Sequence, residues 1–217
     1  MRKIALLDEL VLRYPILTNV KGEVLSAVEQ LRKIFLSDHK LLVAGNGGSA
    51  ADAEHIVGEL MKSFVNRARP VAPSVVAALS EQFGEEGCSL AAKLEGALPA
   101  IPLTSGFVSL STAFANDVDP QISIAQQVYG LGQEGDALFV ISTSGNSKNL
   151  INALMVAKAK SMITIGLTGR DGGLFNEYCQ TVIHAPEDET YKIQELHLPI
   201  YHSICLILED KLFGDGK

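Results

Sequence analysis

Four side chains in two separate stretches of the sequence have the chemistry of metal ligands and proton carriers. His55 and Glu59 are four residues apart in a stretch that predicts a helix, so both project from one face. Gln194 and His202 are eight residues apart in a predicted C-terminal helix, about two turns. Imidazoles and a carboxylate suit zinc, and a glutamine carbonyl oxygen can complete four-coordination. The spacing alone fits an ordinary surface contact equally well.

A second group of polar residues places several hydroxyls in one short turn. Ser142, Thr143, Ser144 and Ser147 lie within six residues, directly before a predicted helix. The free N–H groups and the dipole at a helix N-terminus favour an anion, so the turn is predicted to bind phosphate. A helix cap without a ligand is the alternative for any single turn of this kind. The turn lacks the Gly-Lys-Ser/Thr ending of ATP-binding loops, which argues against ATP.

The turn at Gly45 formally matches a dinucleotide-binding fingerprint. Gly45-x-Gly47-x-x-Ala50 follows a predicted strand and precedes a predicted helix. The fingerprint expects an acidic ribose ligand about twenty residues further on. That region contains Arg67 and Arg69 and no acidic residue. A nicotinamide-dependent dehydrogenase therefore ranks well below a phosphosugar enzyme.

Composition limits the class of protein. The 217 residues are 47% hydrophobic, which is enough for one core and one domain over residues 1–217. The formal net charge of -7 argues against nucleic acid as a partner. The three cysteines show no disulfide or zinc-finger spacing, and no stretch of about 18 apolar residues is present. We expect a cytoplasmic protein without a membrane segment.

The candidate residues are positioned by a repeated strand, turn and helix pattern. This alternation predicts an α/β fold with a central parallel sheet and helices on both faces. An N-terminal helical segment covers about 1–37, and an insertion at about 71–97 interrupts the rhythm, with a short helical pattern at 90–94. The predicted strands are 41–45, 99–104, 137–141, 162–167 and 181–184, and the predicted helices are 19–36, 50–64, 150–160 and 191–212.

Several long motifs in this order closely resemble the sugar-isomerase (SIS) domain family, and within it the phosphoheptose isomerases. The resemblance extends over nearly the whole chain. The motifs are Gly45-Asn-Gly-Gly-Ser-Ala-Ala-Asp-Ala-Glu-His55 with Glu59, Asn116-Asp117, Ile141-Ser-Thr-Ser-Gly-Asn-Ser147, Leu167-Thr-Gly-Arg-Asp-Gly-Gly173, and Ile193-Gln-Glu-x-His197 with His202.

The resemblance implies a fold, a set of site residues and an assembly. It implies a flavodoxin-like three-layer sandwich, assembled as a homotetramer with active sites between subunits. The residues that match zinc-binding positions are His55, Glu59, Gln194 and His202. The residues that match substrate-binding positions are Asn46, Gly47, Gly48, Glu59, Asn116, Asp117, Ser142, Thr143, Ser144, Ser147 and Gln194.

The implied reaction converts sedoheptulose 7-phosphate to D-glycero-D-manno-heptose 7-phosphate through an enediol. Such an aldose–ketose isomerisation needs two proton carriers, and we assign Glu59 to the carbon-bound proton and His202 to the oxygens. Two alternatives stay open. The chain could be a phosphosugar-binding regulatory protein of the SIS family, or the insertion at 71–97 could adapt it to another phosphosugar.

Overall fold

Five parallel strands form the centre of the computed structural model, which describes residues 2–66, 69–103 and 108–214, with side chains from residue 6 onward. The strands follow the order β2-β1-β3-β4-β5 across the sheet. Their bounds are Leu41–Gly45 (β1), Ala100–Pro102 (β2), Ala137–Ile141 (β3), Ile163–Thr168 (β4) and Thr181–His184 (β5). Every residue of β1 and β3 is buried, as expected for parallel strands covered on both faces.

Helices cover both faces of this sheet. In chain order they are Arg2–Arg13 (α1), Lys21–Leu36 (α2), Gly48–Met61 (α3), Pro73–Ala91 (α4), Val108–Asp117 (α5), Ser123–Leu131 (α6), Lys148–Ala159 (α7), Phe175–Tyr178 (α8) and Thr190–Phe213 (α9). Short 3-10 helices span Pro15–Val20 and Pro120–Ile122. The predicted α/β fold with a parallel sheet and helices on both faces is confirmed.

The alternation of side chains along each strand divides the interior into two hydrophobic cores. Val43 and Phe139 point to the face that packs against α1, α2, α3 and α9. Leu42 and Val140 point to the opposite face, where α6 and α7 lie. Because successive residues of a strand face opposite sides, one apolar run supplies both cores. The three layers of the predicted sandwich follow from this arrangement.

Element ends differ from the predicted ones by a few residues. A 3-10 turn precedes α2, which begins at Lys21 rather than at Asn19, and α3 begins at Gly48 rather than at residue 50. The strand predicted over 99–104 is shorter and covers Ala100–Pro102. Its predicted last residue, Thr104, lies outside the described residues, as does Arg67.

The stretch predicted as an insertion is more helical than its sequence indicates. A helical pattern was expected only at 90–94, but α4 extends from Pro73 to Ala91 and is kinked at Gly84. Gly84 has a φ of 56°, a backbone conformation that glycine adopts without strain. The kink folds α4 back on itself. Gly87 then lies so close to the carbonyl oxygen of Leu79 that a Cβ at Gly87 would collide with it. We call this element the α4 hairpin.

Candidate active site

The two polar loops lie side by side at the carboxyl edge of the sheet. β1 and β3 are neighbours, with Gly45 opposite Ile141, so the loop that starts at Asn46 adjoins the loop that starts at Ser142. From β1 the chain continues to β2 on one side, whereas β3, β4 and β5 extend on the other. Ligands of open parallel sheets bind where the strand order reverses in this way. The topology therefore places both loops at the expected ligand crevice.

The hydroxyls of the second loop face one another. The Ser142 Oγ lies 2.9 Å from the Ser147 Oγ and 3.5 Å from the Ser144 Oγ. The backbone N–H of Asn146 donates to the Ser144 Oγ at 3.2 Å. Ser147 directly precedes α7, yet its side chain does not cap that helix. The hydroxyl cluster therefore does not cap α7, and binding of an anion at this helix N-terminus stays a prediction.

The backbone of this loop is held against the loop that follows β4. The N–H of Gly169 donates to the carbonyl oxygen of Thr143 at 3.1 Å. Gly145 has a φ of 63°, and a Cβ there would collide with the carbonyl oxygen of Gly172. Only glycine tolerates both conditions. This contact fixes the position of the hydroxyls, and it explains why the two glycine-containing motifs occur together.

An amide pair joins the first loop to α7. The Asn46 Nδ2 donates to the Asn149 Oδ1 at 3.0 Å, and the Asn149 Nδ2 donates back to the Asn46 Oδ1 at 2.8 Å. A cavity of about 250 Å³ lies beside this pair and is lined also by Gly47 and by Ser111 of α5. Sequence reasoning missed Asn149, since only the pairing of β1 with β3 brings it to Asn46.

Asn116 and Asp117 lie on α5 rather than on the two loops. Both are exposed at the C-terminal end of α5, where the Asn116 Nδ2 donates to the Asp117 Oδ1 at 2.6 Å. Within the described residues, no hydrogen bond joins them to the other predicted site residues. Ser111 brings α5 to the edge of the cavity. A substrate-binding role for Asn116 and Asp117 stays a prediction.

Three of the four predicted metal ligands come together between α3 and α9. The His55 Nε2 lies 3.2 Å from the Glu59 Oε1. The ring of His202 meets the ring of His55 edge to face, with the ring centres 5.0 Å apart. Glu59 also contacts the exposed Lys62, whose Nζ lies 3.2 Å from the Glu59 Oε2. The i,i+4 pair seen in the sequence is therefore joined by a second imidazole from the C-terminal helix.

Gln194 lies at the opposite end of this helix pair. A Cβ on Gly48 would come within 2.8 Å of the Gln194 amide nitrogen. Gln194 precedes His202 by eight residues of α9, which is about 12 Å along the helix axis. The structure thus places the Gln194 amide beside the predicted substrate residues Asn46, Gly47 and Gly48, at the N-terminus of α3.

Tyr201 contacts the imidazoles and Asp52 contacts Tyr201, and sequence reasoning missed both. The hydroxyl of Tyr201 lies 3.0 Å from the His55 Nδ1 and donates to the Asp52 Oδ1 at 3.2 Å. The Tyr201 ring is 1% exposed and also meets the His202 ring edge to face. Asp52 lies three residues before His55, a spacing visible in the sequence, whereas Tyr201 requires the packing of α9 on α3.

The surroundings of His202 favour its neutral form. Burial lowers the pKa of His202, and the neighbouring His55 lowers it further, while the Glu59 carboxylate opposes this shift. The His202 Nε2 is buried and has no hydrogen-bond partner among the described residues. Burial raises the pKa of Asp52, although the Tyr201 hydroxyl acts in the opposite direction. A neutral imidazole with an unused nitrogen can bind a cation or carry a proton.

Other conspicuous polar residues have structural roles. His197 is fully buried and its Nε2 donates to the carbonyl oxygen of Thr168 at 3.2 Å. His184 joins β5 to α2 through the Glu23 carboxylate, with 2.9 Å between the Nδ1 and the Oε1. Arg69, which a dinucleotide site would present to a phosphate, is 3% exposed and donates to Glu209 at 2.8 Å.

The described part of the chain contains neither a preformed metal centre nor a membrane-spanning helix. Over residues 2–66, 69–103 and 108–214, no three His, Cys, Asp or Glu side chains converge closely enough to hold a metal ion. Within the same ranges, no helix has both the length and the apolar character needed to cross a membrane.

Comparison with known sequences identifies the relatives of this chain. The SIS domain family model matches residues 76–169. Phosphoheptose isomerase 2 of Campylobacter jejuni is 40% identical over 184 residues, which cover 85% of this chain and 78% of that protein. The phosphoheptose isomerase of Aneurinibacillus thermoaerophilus is 37% identical over 205 residues, which cover 90% and 89%.

Solved structures give the same result. A phosphoheptose isomerase from Francisella tularensis superimposes with a TM-score of 0.73 at 30% identity, covering 91% of each chain. One from Neisseria gonorrhoeae has a TM-score of 0.70 at 30% identity, covering 96% of this chain and 94% of that one. The chain therefore belongs to the phosphoheptose isomerases, a family of SIS-domain isomerases.

Proposed function

We propose that this isomerase converts sedoheptulose 7-phosphate to D-glycero-D-manno-heptose 7-phosphate. The observation that carries the proposal is the arrangement at the reversal of strand order. A hydroxyl-rich loop follows β3, and a carboxylate–imidazole pair with 3.2 Å between its atoms lies on the helix that follows the neighbouring β1. One end of this crevice suits a phosphate and the other suits proton transfer.

The reaction moves a proton from C1 to C2 of the sugar and another between the two oxygens. Glu59 is the base for the carbon-bound proton, since its side chain is 13% exposed and lies between His55 and Lys62. His202 serves the oxygens, because its lowered pKa keeps a lone pair available at neutral pH. The hydroxyls of Ser142, Ser144 and Ser147 bind the remote phosphate and so orient the reacting carbons.

Binding of the sugar between these ends would use the remaining predicted residues. The Gln194 amide and the backbone of Asn46 to Gly48 lie between the hydroxyl loop and the imidazoles along α3. Asn116 and Asp117 belong to this set if α5, or α5 of another subunit, closes over the cavity. Thr143 contributes through its loop position, since its carbonyl oxygen is already bound by Gly169.

A zinc ion is the proposed cofactor because of the chemistry of these donors, although the described side chains do not converge closely enough to enclose an ion as they stand. The His55 Nε2 lies 3.2 Å from the Glu59 Oε1, and with the ring proton on Nδ1 a cation between these two atoms would be bound by both. Two ligands of a tetrahedral zinc are separated by about 3.4 Å. The buried, unpartnered His202 Nε2 is a third donor. His55, Glu59 and His202 would hold the ion, whereas Gln194, the fourth predicted ligand, lies about 12 Å away along α9 and would contact the substrate instead.

When bound, zinc would polarise the substrate carbonyl and stabilise negative charge on the enediol oxygens. The protein contributes the rest. Tyr201 and His202 pack edge to face, which excludes water from one side of the imidazole, and Lys62 adds positive charge beside Glu59. Chelation with a strong zinc chelator should therefore abolish turnover, and added zinc should restore it.

We further propose a single domain over residues 1–217 that assembles as a homotetramer in the cytoplasm. The α4 hairpin supports assembly, because Phe83 is 60% exposed and Leu90 is 50% exposed on it. Clustered exposed apolar side chains are typical of interaction surfaces. The three cysteines form no disulfide with one another, which agrees with a reducing compartment.

Substitution of Glu59 by Gln tests the assigned base. Glu59→Gln should lower kcat for sedoheptulose 7-phosphate by a factor of about 100 or more, because an amide cannot accept the proton. Glu54→Gln is the matched control, since Glu54 is exposed on the same helix, and it should leave kcat unchanged. A folded Glu59→Gln protein with nearly normal turnover contradicts the assignment.

The same assay separates the alternative functions. Wild-type protein is tested against phosphorylated pentoses, hexoses and heptoses. Preferred turnover of another sugar would assign the chain to that substrate, and tight binding of a phosphosugar without any turnover would indicate a regulatory protein.

A further inference from the structure

A buried tyrosine connects a carboxylate to one imidazole of the candidate site. The Tyr201 hydroxyl lies 3.2 Å from the Asp52 Oδ1 and 3.0 Å from the His55 Nδ1. Tyr201 is 1% exposed, and the centre of its ring is 5.5 Å from that of His55. Neither Asp52 nor Tyr201 is among the residues assigned to metal or substrate above.

The direction of these hydrogen bonds determines which nitrogen of His55 carries a proton. A tyrosine has one O–H, and the carboxylate of Asp52 can only accept it. With its hydrogen given to Asp52, the Tyr201 oxygen can only accept from His55. With Asp52 ionised, the His55 Nδ1 then donates to Tyr201, which leaves the Nε2 lone pair available to a cation held together with the Glu59 Oε1, 3.2 Å away.

We propose that Asp52 and Tyr201 are positioning residues that hold His55 in its Nδ1–H form and direct its Nε2 toward the reaction centre. Partners of this kind fix the orientation of metal-binding histidines, and their loss commonly costs 10–100-fold in metal affinity or activity. The consequence for turnover rests on the proposed function. The hydrogen-bonded relay itself does not, because it consists of contacts within the chain.

The contacts with Asp52 and His55 also explain why a tyrosine hydroxyl lies in the hydrophobic core. Tyr201 belongs to the core that α9 forms with the sheet, and phenylalanine would fill the same volume. A buried tyrosine hydroxyl is stable only with partners, and here both partners belong to α3. The hydroxyl therefore links α9 to α3 one helical turn before Glu59.

The test uses Tyr201→Phe, which keeps the ring packing and removes the hydroxyl. In protein labelled with 15N-histidine and supplied with one equivalent of zinc, NMR at alkaline pH distinguishes the two neutral forms of the His55 ring. Wild type should show Nδ1–H, and Tyr201→Phe should shift toward Nε2–H. Zinc affinity, measured by competition with a chromogenic chelator, should fall 10–100-fold. Tyr129→Phe is the control, because Tyr129 is 64% exposed on α6, and it should change neither readout.

A second pair of variants covers the possibility that Tyr201→Phe does not fold. Asp52→Asn keeps an oxygen acceptor and should retain the Nδ1–H form, whereas Asp52→Ala should lose it. The proposal is overturned if wild-type His55 is Nε2–H, or if folded Tyr201→Phe and Asp52→Ala leave the ring form and zinc affinity unchanged. A wild type with the Nδ1–H form but without isomerase activity would contradict the proposed function and still support the positioning role.

Discussion

The histidines of α9 have different properties because their surroundings differ. His202 lies beside His55 and Glu59 at the edge of the core, with one nitrogen unused. His197, five residues earlier, is enclosed by the protein and donates to the Thr168 carbonyl. Burial lowers the pKa of His197 to about 4, although this hydrogen bond opposes the shift. One of these residues is therefore available for chemistry and the other maintains the packing of α9 on β4.

His197 should make the stability of the protein depend on pH. Between its native pKa of about 4 and its unfolded value of 6.5, the unfolded chain binds the proton more readily. The free energy of unfolding should therefore fall as pH decreases through this range, by about 2 kcal/mol at pH 5. In His197→Gln, whose amide can still donate to Thr168, the loss between pH 7.5 and pH 5.0 should be smaller by about that amount.

Urea unfolding at both pH values measures this difference. Wild type and His197→Gln share every other titrating group, including His202, so comparing their pH-dependent losses isolates His197. Equal losses in the two proteins would show that His197 is not the group responsible.

At the level of elements, α3 and α9 carry the proposed catalytic residues Glu59 and His202, so the alignment of these two helices matters for the proposed reaction. They run in the same direction, with Gly48 beside Gln194 at one end and His55 beside Tyr201 in the middle. A buried ion pair joins them at the far end, where the Arg69 Nε donates to the Glu209 Oε1 at 2.8 Å. The alignment of the two helices therefore determines whether Glu59 and His202 meet.

Both members of this ion pair, Arg69 and Glu209, make further hydrogen bonds within the protein. Glu209 also accepts from the backbone N–H groups of 64, 65 and 66 at 2.8, 2.9 and 3.0 Å. Burial opposes ionisation of Glu209, but these bonds and Arg69 outweigh it and lower its pKa. Arg69 donates to the carbonyl oxygens of Leu60 and Glu59, so it caps the end of α3 directly at the proposed base.

Glu209→Gln should destabilise the protein by about 3–5 kcal/mol, because it leaves the buried Arg69 charge uncompensated. Denaturant unfolding measures the loss. The double variant Arg69→Met with Glu209→Leu removes both charges and should recover much of the stability. A loss below about 1 kcal/mol in Glu209→Gln would mean that the pair does not fasten α3 to α9.

At the level of the whole molecule, the predicted strands were recognised because parallel strands are continuous apolar runs between polar turns. Residues 41–45, 137–141 and 181–184 match the observed β1, β3 and β5. The hydroxyl loop was predicted for the same reason, as it directly follows β3. The α4 hairpin was largely missed, since a helix exposed on most sides lacks the one-sided apolar pattern that indicates a helix.

The rest of the site could not be predicted from local sequence. Asn149, Asp52 and Tyr201 acquire their roles through contacts that span 103, 149 and 146 positions of the chain. Gln194 and His202 were predicted as metal ligands from the resemblance to a family, because their spacing of eight residues indicates little by itself. The residue types alone predicted the hydroxyl-rich loop that follows β3. The geometry of the imidazoles could not be predicted in this way, because it depends on the packing of α9 on α3.

Assembly is the property of the whole molecule that the α4 hairpin should control. Phe83→Glu places a charge in the proposed subunit contact and should shift the protein from a tetramer to smaller species. Native mass spectrometry measures the change, with Glu86→Gln on the same hairpin as the control. A Phe83→Glu protein that stays tetrameric would exclude this part of the hairpin from the contact.

The most direct test of the central claim is NMR of sedoheptulose 7-phosphate incubated with zinc-loaded protein in D2O. An enediol reaction, in which Glu59 exchanges its proton with solvent, predicts an aldose heptose 7-phosphate carrying deuterium at C2. Glu59→Gln should form about 100-fold less of it in the same time. If folded wild-type protein forms no aldose from this ketose, the proposed function is wrong.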